Sequence, residues 1–392
     1  MSEPAAVQPR GHGLNFSERP MLVFWEVTRS CLLSCRHCRA SAIATALPGE
    51  LSVSEGQDLV RQVAAFGRPY PILVMTGGDC LMRPDIIELA SYAVGLGMPV
   101  ALSPSVTPLL TSEAAVKIKA TGVRAVSISL DGAGPETHDR VRGVPGHFDR
   151  TVESLRMLKS HGLKVQVNTT VMRDNVEELA DVAALIESIG VDMWEVFFLV
   201  SVGRGEGVEP ITPSEHEEVC HFLFDASRYG FVVRTVEAPF FRRVVRWRRE
   251  LEGDAEVVGA FGLGSLYTRL RARLQQTLGP GGARPAAQSA STRDGKGIVF
   301  VAHDGDVHPA GFLPVTLGNV GKRPLAEIYR DSDLLNRIRS AQFTGRCGAC
   351  EFKDLCGGSR ARAFATFGDA LAEDPACTYV PAPRVAPASL IQ

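Results

Sequence analysis

The chain has 392 residues, enough to bury a large core and to form one big α/β domain with a smaller appendage. Its 42 Lys and Arg nearly balance its 44 Asp and Glu, and the formal charge of −2 gives no basic excess for nucleic-acid phosphates or an anionic membrane. No run approaches the ~20 consecutive apolar residues of a membrane helix, and residues 1–20 lack the apolar middle of a signal peptide, so a cytoplasmic protein is expected. In that reducing compartment, nine cysteines point to metal rather than to disulfides.

Residues 1–20 are expected to be a flexible N-terminal segment. From residue 21, short apolar strands at 21–27, 72–75, 100–103, 125–130, 164–170 and 194–200 alternate with amphipathic stretches at 53–65, 84–95, 113–121, 148–162 and 176–190. Six βα units in a row predict an α/β fold, a (β/α)6 partial TIM barrel over 21–230 with helices outside and right-handed crossovers. Its active site should lie at the carboxyl ends of the strands, where the loops converge. Helical patterns follow at 213–228 and 241–252. Arg242, Arg243, Arg246, Arg248 and Arg249 on the latter read as a solvated face, with the alternative of receiving carboxylates of an anionic substrate. Within 231–294, residues 278–293 are rich in Gly, Pro, Ala and Ser and read as a linker. A small cysteine-rich unit, 295–380, and a tail, 381–392, complete the chain.

Just after the first strand stand Cys31, Cys35 and Cys38, three thiols within eight residues, on a loop that can wrap around a cofactor. Structural zinc normally takes a closed set of four ligands, and His37, lying between two of the cysteines, would strain a tetrahedral site as the fourth. Three ligands on a four-iron cluster leave one iron open. Here the chain resembles the radical S-adenosylmethionine (SAM) superfamily, whose CxxxCxxC motif matches Cys31-x3-Cys35-x2-Cys38. The resemblance implies a [4Fe–4S] cluster whose open iron chelates the methionine part of SAM, reductive cleavage to a 5′-deoxyadenosyl radical, and an electron donor such as flavodoxin or ferredoxin. It also places His37 beside the adenine.

Further residues follow from the same resemblance. Gly77-Gly78-Asp79 occupies the place of a GGE-like turn, its glycines letting backbone approach a ligand and Asp79 accepting from the SAM ammonium. Cys80 stands where many relatives have proline and is either a packing residue or a thiol hydrogen-atom donor near substrate. Ser105, Ser129 and Asp131 are expected near the ribose or methionine of SAM. Arg142 is either a partner of the SAM carboxylate or a surface arginine closing a turn. By position, Asn168 is expected near that carboxylate or the substrate, and Gly203–Gly205 near adenine. Trp194 and Glu195 alternate along the sixth strand, and an inward Glu195 would be a candidate base, with a salt bridge at the core edge as the other reading. His216 and His221 are five apart and do not match a zinc-binding helix face, while Cys220 packs. His303 and His308 flank the Asp304-Gly305 turn, from which they could reach a substrate or ligate iron, with exposed turn histidines as the alternative.

Beyond the linker, Cys347, Cys350, Cys356 and Cys377 form a Cx2Cx5Cx20C set, complete in itself, for which a zinc knuckle and an auxiliary [4Fe–4S] cluster are the rival readings. The region resembles the SPASM/twitch extensions of radical SAM enzymes, with a strand pair at 297–302 and 306–309. Ala310 and Ser359 stand where a full SPASM domain has further cysteines, so one auxiliary cluster is expected. Barrel and tail together most resemble the radical SAM proteins of haem d1 and alternative haem synthesis, which implies hydrogen abstraction from an organic substrate, as in decarboxylation or side-chain modification of a tetrapyrrole. Maturation of a ribosomal peptide, chemistry on a sugar nucleoside or other small metabolite, and a zinc-stabilised binding protein remain as alternatives.

Overall fold

The computed structural model describes residues 15–41, 43–251, 257–288 and 292–381. Most of the expected N-terminal segment and tail, 1–14 and 382–392, lies outside the described residues. Seven strands run parallel in chain order: β1 (Leu22–Glu26), β2 (Ile72–Thr76), β3 (Val100–Leu102), β4 (Ala125–Ser129), β5 (Val165–Val171), β6 (Met193–Phe198) and β7 (Val232–Val236). Between them lie α1 (Val53–Ala64), α2 (Ile86–Gly95), α3 (Ser112–Ala120), α4 (Pro135–Arg142), α5 (His147–Ser160), α6 (Leu179–Ile189) and α7 (Pro213–Ala226). Local sequence sets several helix starts. Ser52 with Glu55 and Thr212 with Glu215 form capping boxes that satisfy the first free N–H groups of α1 and α7.

The strands alternate as a curled sheet requires. Leu73, Met75, Val126, Ile128, Val167, Trp194 and Val196 are fully buried against the helices, each contributing about 1.5–3 kcal/mol of burial. Their neighbours Ser127, Ser129, Gln166, Asn168, Thr170 and Glu195 share the opposite, inner face and are only half-buried. The barrel interior is therefore polar, and the stability resides in the outer layer.

The expected strand pair near the carboxyl end is present, but it does not stand apart. β8 (Ile298–Val301) pairs parallel with β1, and β9 (Asp306–His308) and β10 (Gly318–Asn319) follow antiparallel. One ten-stranded sheet results, in the order β10-β9-β8-β1-β2-β3-β4-β5-β6-β7. β7 goes beyond the six expected strands, as does a helix that covers α6 and α7, here α10 (Ser265–Leu278) after α8 (Phe241–Glu250) and the short α9 (Val257–Phe261). The stretch read as a linker is docked: Val233 donates to Ala286 O and Gln288 donates to Val233 O, extending the edge of β7. Residues 289–291 of that stretch lie outside the described residues.

Of the five arginines of α8, Arg246 and Arg249 are exposed as expected, but Arg242, Arg243 and Arg248 are not a solvated face. Arg243 pairs with Glu217 at 2.8 Å and Arg248 with Asp225 at 2.5 Å, both buried, and Arg242 donates to Leu355 O and Thr292 O. They tie α8 to α7 and to the cysteine-rich unit. Among the described residues no helix is long and apolar enough to cross a membrane.

Candidate active site

The first cysteine loop leaves the carboxyl end of β1 and is held from two sides. On one, the β1–β2 pairing continues past the strands: Gly78 N donates to Thr28 O at 2.8 Å and Asp79 N to Ser30 O at 2.6 Å. A Cβ on Gly77 would lie 2.4 Å from Thr28 O, and one on Gly78 would lie 2.3 Å from Ser30 O. These glycines thus let the turn pack backbone to backbone against the cysteine loop. On the other side, Arg204 donates its N–H to Cys38 O and its Nε to Cys35 O. A Cβ on Gly203, at φ +57°, would meet Arg39 O at 2.4 Å, so Gly203–Gly205 brace the loop as well.

Cys31 and Cys35 are 7% and 8% exposed, Cys38 is half-buried, and all three are free thiols. Cys31 Sγ accepts from Leu33 N at 3.4 Å and faces Ser105 Oγ at 3.7 Å, while Arg142 Nη1 donates to Cys35 Sγ at 3.6 Å. Such donors favour thiolates. Burial nevertheless pushes the Cys31 thiol up, so a cationic partner is needed to hold it ionised. That combination fits an iron–sulfur cluster bound by three thiolates.

Behind the loop sits a buried polar set. Asp131 Oδ2 lies 2.5 Å from Arg142 Nη2 and 3.7 Å from His37 Nε2, and Asp131 Oδ1 accepts from Thr170 N at 2.7 Å. Arg142 is therefore no surface residue: it bridges Asp131 and Cys35. Burial pushes the Asp131 carboxyl up, but Arg142, His37 and the Thr170 N–H outweigh it and the net shift is downward. His37 is pushed down to about 4 by burial. Two atoms here, His37 Nδ1 and Arg142 Nε, are buried without a hydrogen-bond partner, which fits a polar group seated beside them.

Two histidines that sequence reading passed over extend this set. Val106 O only accepts, so His147 Nε2 donates to it at 3.0 Å; His138 Nε2 then donates to His147 Nδ1 at 2.8 Å, and His138 Nδ1 accepts from Asp131 N at 3.0 Å. Burial and then Arg142 push His138 down to about 3 and His147 to about 4, consistent with this neutral chain. It links the strand-four loop to the strand-three loop that carries Ser105.

Other expected residues divide. Asp79 is buried and its carboxylate takes Leu81 N, Ser105 N and Thr107 Oγ1, at 3.1, 3.2 and 2.7 Å. These bonds order the turn. Ser105 Oγ donates to Gly78 O. Cys80 is fully buried in the apolar core with its thiol pushed well up by burial, which corrects the hydrogen-donor reading and leaves packing. Glu195 does face inward, with Asn168 beside it; Gln166 Nε2 donates to both. Burial raises Glu195. Trp194 faces the helices and donates to Thr169 Oγ1. His216, Cys220 and His221 are buried packing residues on α7.

A cavity of about 530 Å³ opens next to the cysteine loop, lined by Glu26, Arg29, Arg39, Phe300, His303, His308 and Phe312 among others. Its size suits a small organic molecule. Glu26 and Arg39 were not legible as site residues; the only signal was their nearness to the cysteines.

The second set behaves differently. Cys347, Cys350, Cys356 and Cys377 line one small pocket with Arg243, Phe352 and Tyr379. Cys347 accepts from Asp374 N and Arg360 Nη2, Cys350 from Phe352 N, and Cys356 from Gly358 N. Burial pushes Cys356 to about 12 and Cys377 to about 11, so these too need a metal to ionise. Among the described residues, no three His, Cys, Asp or Glu converge closely enough for a single metal ion; thiols spread around a pocket suit the corners of a cluster. Ser359 bonds Glu237, and Ala310 sits in an apolar patch with Leu313 and Ala361.

A family model of the radical SAM superfamily matches residues 25–186, and one of an iron–sulfur cluster-binding (SPASM) domain matches 293–351. An AdoMet-dependent heme synthase of Oleidesulfovibrio alaskensis is 39% identical over 92% of this chain and 87% of its own. An Fe-coproporphyrin III synthase of Methanosarcina barkeri is 31% identical over 93% and 90%, and a pre-heme d1 synthase of Dinoroseobacter shibae 30% over 91% and 85%. Streptococcus suis SuiB, solved with S-adenosylmethionine, shares the fold with a TM-score of 0.67 at 14% identity, over 92% of this chain and 78% of its own.

Proposed function

The chain belongs to the radical SAM superfamily and is an enzyme with [4Fe–4S] clusters and SAM as cofactors, and from that premise we propose that it removes carboxyl groups from, or otherwise modifies, the side chains of an iron tetrapyrrole. The observation that carries the reading is a cavity lined by Arg29, Arg39 and Ala40, which flank the three thiols, in a chain that matches haem-forming synthases along nine-tenths of its length. The bound cluster and SAM supply the 5′-deoxyadenosyl radical that abstracts a hydrogen atom.

In this reading Cys31, Cys35 and Cys38 hold the cluster, and Arg142, fixed by Asp131, supplies positive charge beside it. Gly77, Gly78 and Asp79 shape the turn against which SAM binds, with Ser105, Ser129 and Asn168 lining its site and Glu195 deeper in the barrel. Cys347, Cys350, Cys356 and Cys377 hold a second cluster. A complete ligand set suits it to accept the electron released when hydrogen abstraction is followed by loss of CO2 and formation of an alkene. The enzyme would work in the cytoplasm as residues 21–230 and 295–380 around the 231–294 segment, with a flavodoxin or ferredoxin as donor and no nucleic-acid or membrane partner.

Anaerobic incubation with SAM, dithionite and iron coproporphyrin III tests this. Expected are 5′-deoxyadenosine and a porphyrin product lacking carboxyl groups by mass spectrometry; 5′-deoxyadenosine without any change in porphyrin would sink the substrate reading and leave the SAM chemistry standing.

A further inference from the structure

His303 stands in the turn between β8 and β9 and lines the cavity beside the cysteine loop. Its Nδ1 lies 3.3 Å from Glu26 Oε2, and Glu26 Oε1 accepts from Arg39 Nη2 at 3.1 Å. The Glu26 and His303 side chains are only 5% and 12% exposed. A carboxylate only accepts, so Nδ1 carries the proton and the lone pair of the neutral ring sits on Nε2. Among the described residues Nε2 has no hydrogen-bond partner.

Burial pushes the Glu26 carboxyl up, but the His303 bond and the charges of Arg39 and Arg29 outweigh it, so Glu26 is held below its ordinary value. The ion pair with Arg39 thus keeps an anion behind the imidazole. An imidazole whose inner N–H is taken by a carboxylate, with its outer nitrogen open, is the arrangement that orients a metal ligand and raises its basicity. Imidazole suits iron. Yet among the described residues no second and third ligand accompany it. A metal taken here must arrive with its other positions already filled, as the iron of a porphyrin does. The cavity of about 530 Å³ and the half-buried ring of Phe312 offer the room and apolar surface such a macrocycle needs.

We propose that His303 is an axial ligand to the iron of the tetrapyrrole substrate, with Glu26 as its positioning residue and Arg39 fixing Glu26. The inference rests on the tetrapyrrole reading above and adds a binding mode to it. His308, paired across the hairpin with Phe300, lines the same cavity, but its Nδ1 is buried without a partner and no acid sets its tautomer.

The test titrates anaerobic, cluster-loaded protein with iron(III) coproporphyrin III, read as difference absorption and electron paramagnetic resonance, and separately with metal-free coproporphyrin III, read by fluorescence. The wild type should give the spectrum of a histidine-ligated haem. His303→Ala should lose that spectrum, bind the iron porphyrin at least tenfold more weakly, recover the spectrum with added imidazole, and bind the metal-free porphyrin within twofold of wild type. Glu26→Gln should keep histidine ligation with severalfold weaker binding. The same spectrum in His303→Ala, or its loss in His308→Ala instead, would overturn the assignment while leaving the substrate reading intact. Failure of the wild type to bind either porphyrin would overturn both.

Discussion

The two cysteine sets are built from the same thiol chemistry but enclosed in opposite ways. The first has three sulfurs on one loop, and its surroundings are polar groups gathered from separate strands: Ser105 after β3, Asp131 after β4, Arg142 at the end of α4. The second has four sulfurs in a small pocket, with three backbone N–H donors and the buried Arg360 on its sulfurs. One is a ligand short, flanked by residues that line a cavity and supplied with charge, as a place of reaction requires; the other is complete and needs only to exchange electrons. The difference teaches that ligand count and second-layer polarity together, rather than cysteines as such, assign a role.

The sharpest way to break that comparison is to remove one sulfur from each set. Cys35→Ala should abolish 5′-deoxyadenosine formation and lower iron from about eight to about four per chain. Cys356→Ala should lose a similar amount of iron yet still cleave SAM, while porphyrin product falls at least a hundredfold. Equal loss of SAM cleavage in both variants would erase the distinction drawn here.

The polar layer behind the first set gives the next largest effect. Asp131→Asn leaves Arg142 buried without its carboxylate, which should cost about 3–5 kcal/mol of stability by chemical unfolding, and should raise the KM for SAM. Stability should also fall as pH drops from about 6.5 toward 4. There the unfolded chain takes protons on His138 and His147 that the folded chain, with values of about 3 and about 4, refuses; each contributes about 1.4 kcal/mol per pH unit. A His138→Gln, His147→Gln double variant should flatten that slope in guanidinium midpoints compared between pH 7 and pH 5. Smallest of all, Cys80→Ala should cost on the order of 1 kcal/mol and leave 5′-deoxyadenosine formation unchanged, since its thiol lies in the apolar core.

Much of the barrel was legible because its signals are local. Six strands and five outer helices follow from apolar period, and both cysteine sets follow from spacing. β7 and α10 were missed although Val232, Val233 and Thr235 form a β-branched run and Leu266, Leu270 and Leu274 recur at helical spacing; the arginine-rich surroundings drew the reading toward a helix and a linker. Arg243 and Arg248 of α8 misled for a different reason. Whether a cation is solvated depends on Glu217 and Asp225, which stand on another helix.

What the sequence alone determined is the chemistry on offer: three thiols and then four, a parallel sheet to carry the first, glycines after the second strand, and no basic excess. Tertiary structure decided who meets whom. It spent the Asp79 carboxylate on the turn, buried Cys80 in the core, and turned Arg142 toward Asp131 and Cys35. By joining β8 to β1 it brought His303 to Glu26 across 277 positions of chain. Spacing within a loop fixes ligand geometry directly, because a few bonds span it. Contacts between distant strands depend on sheet order, which no local pattern encodes.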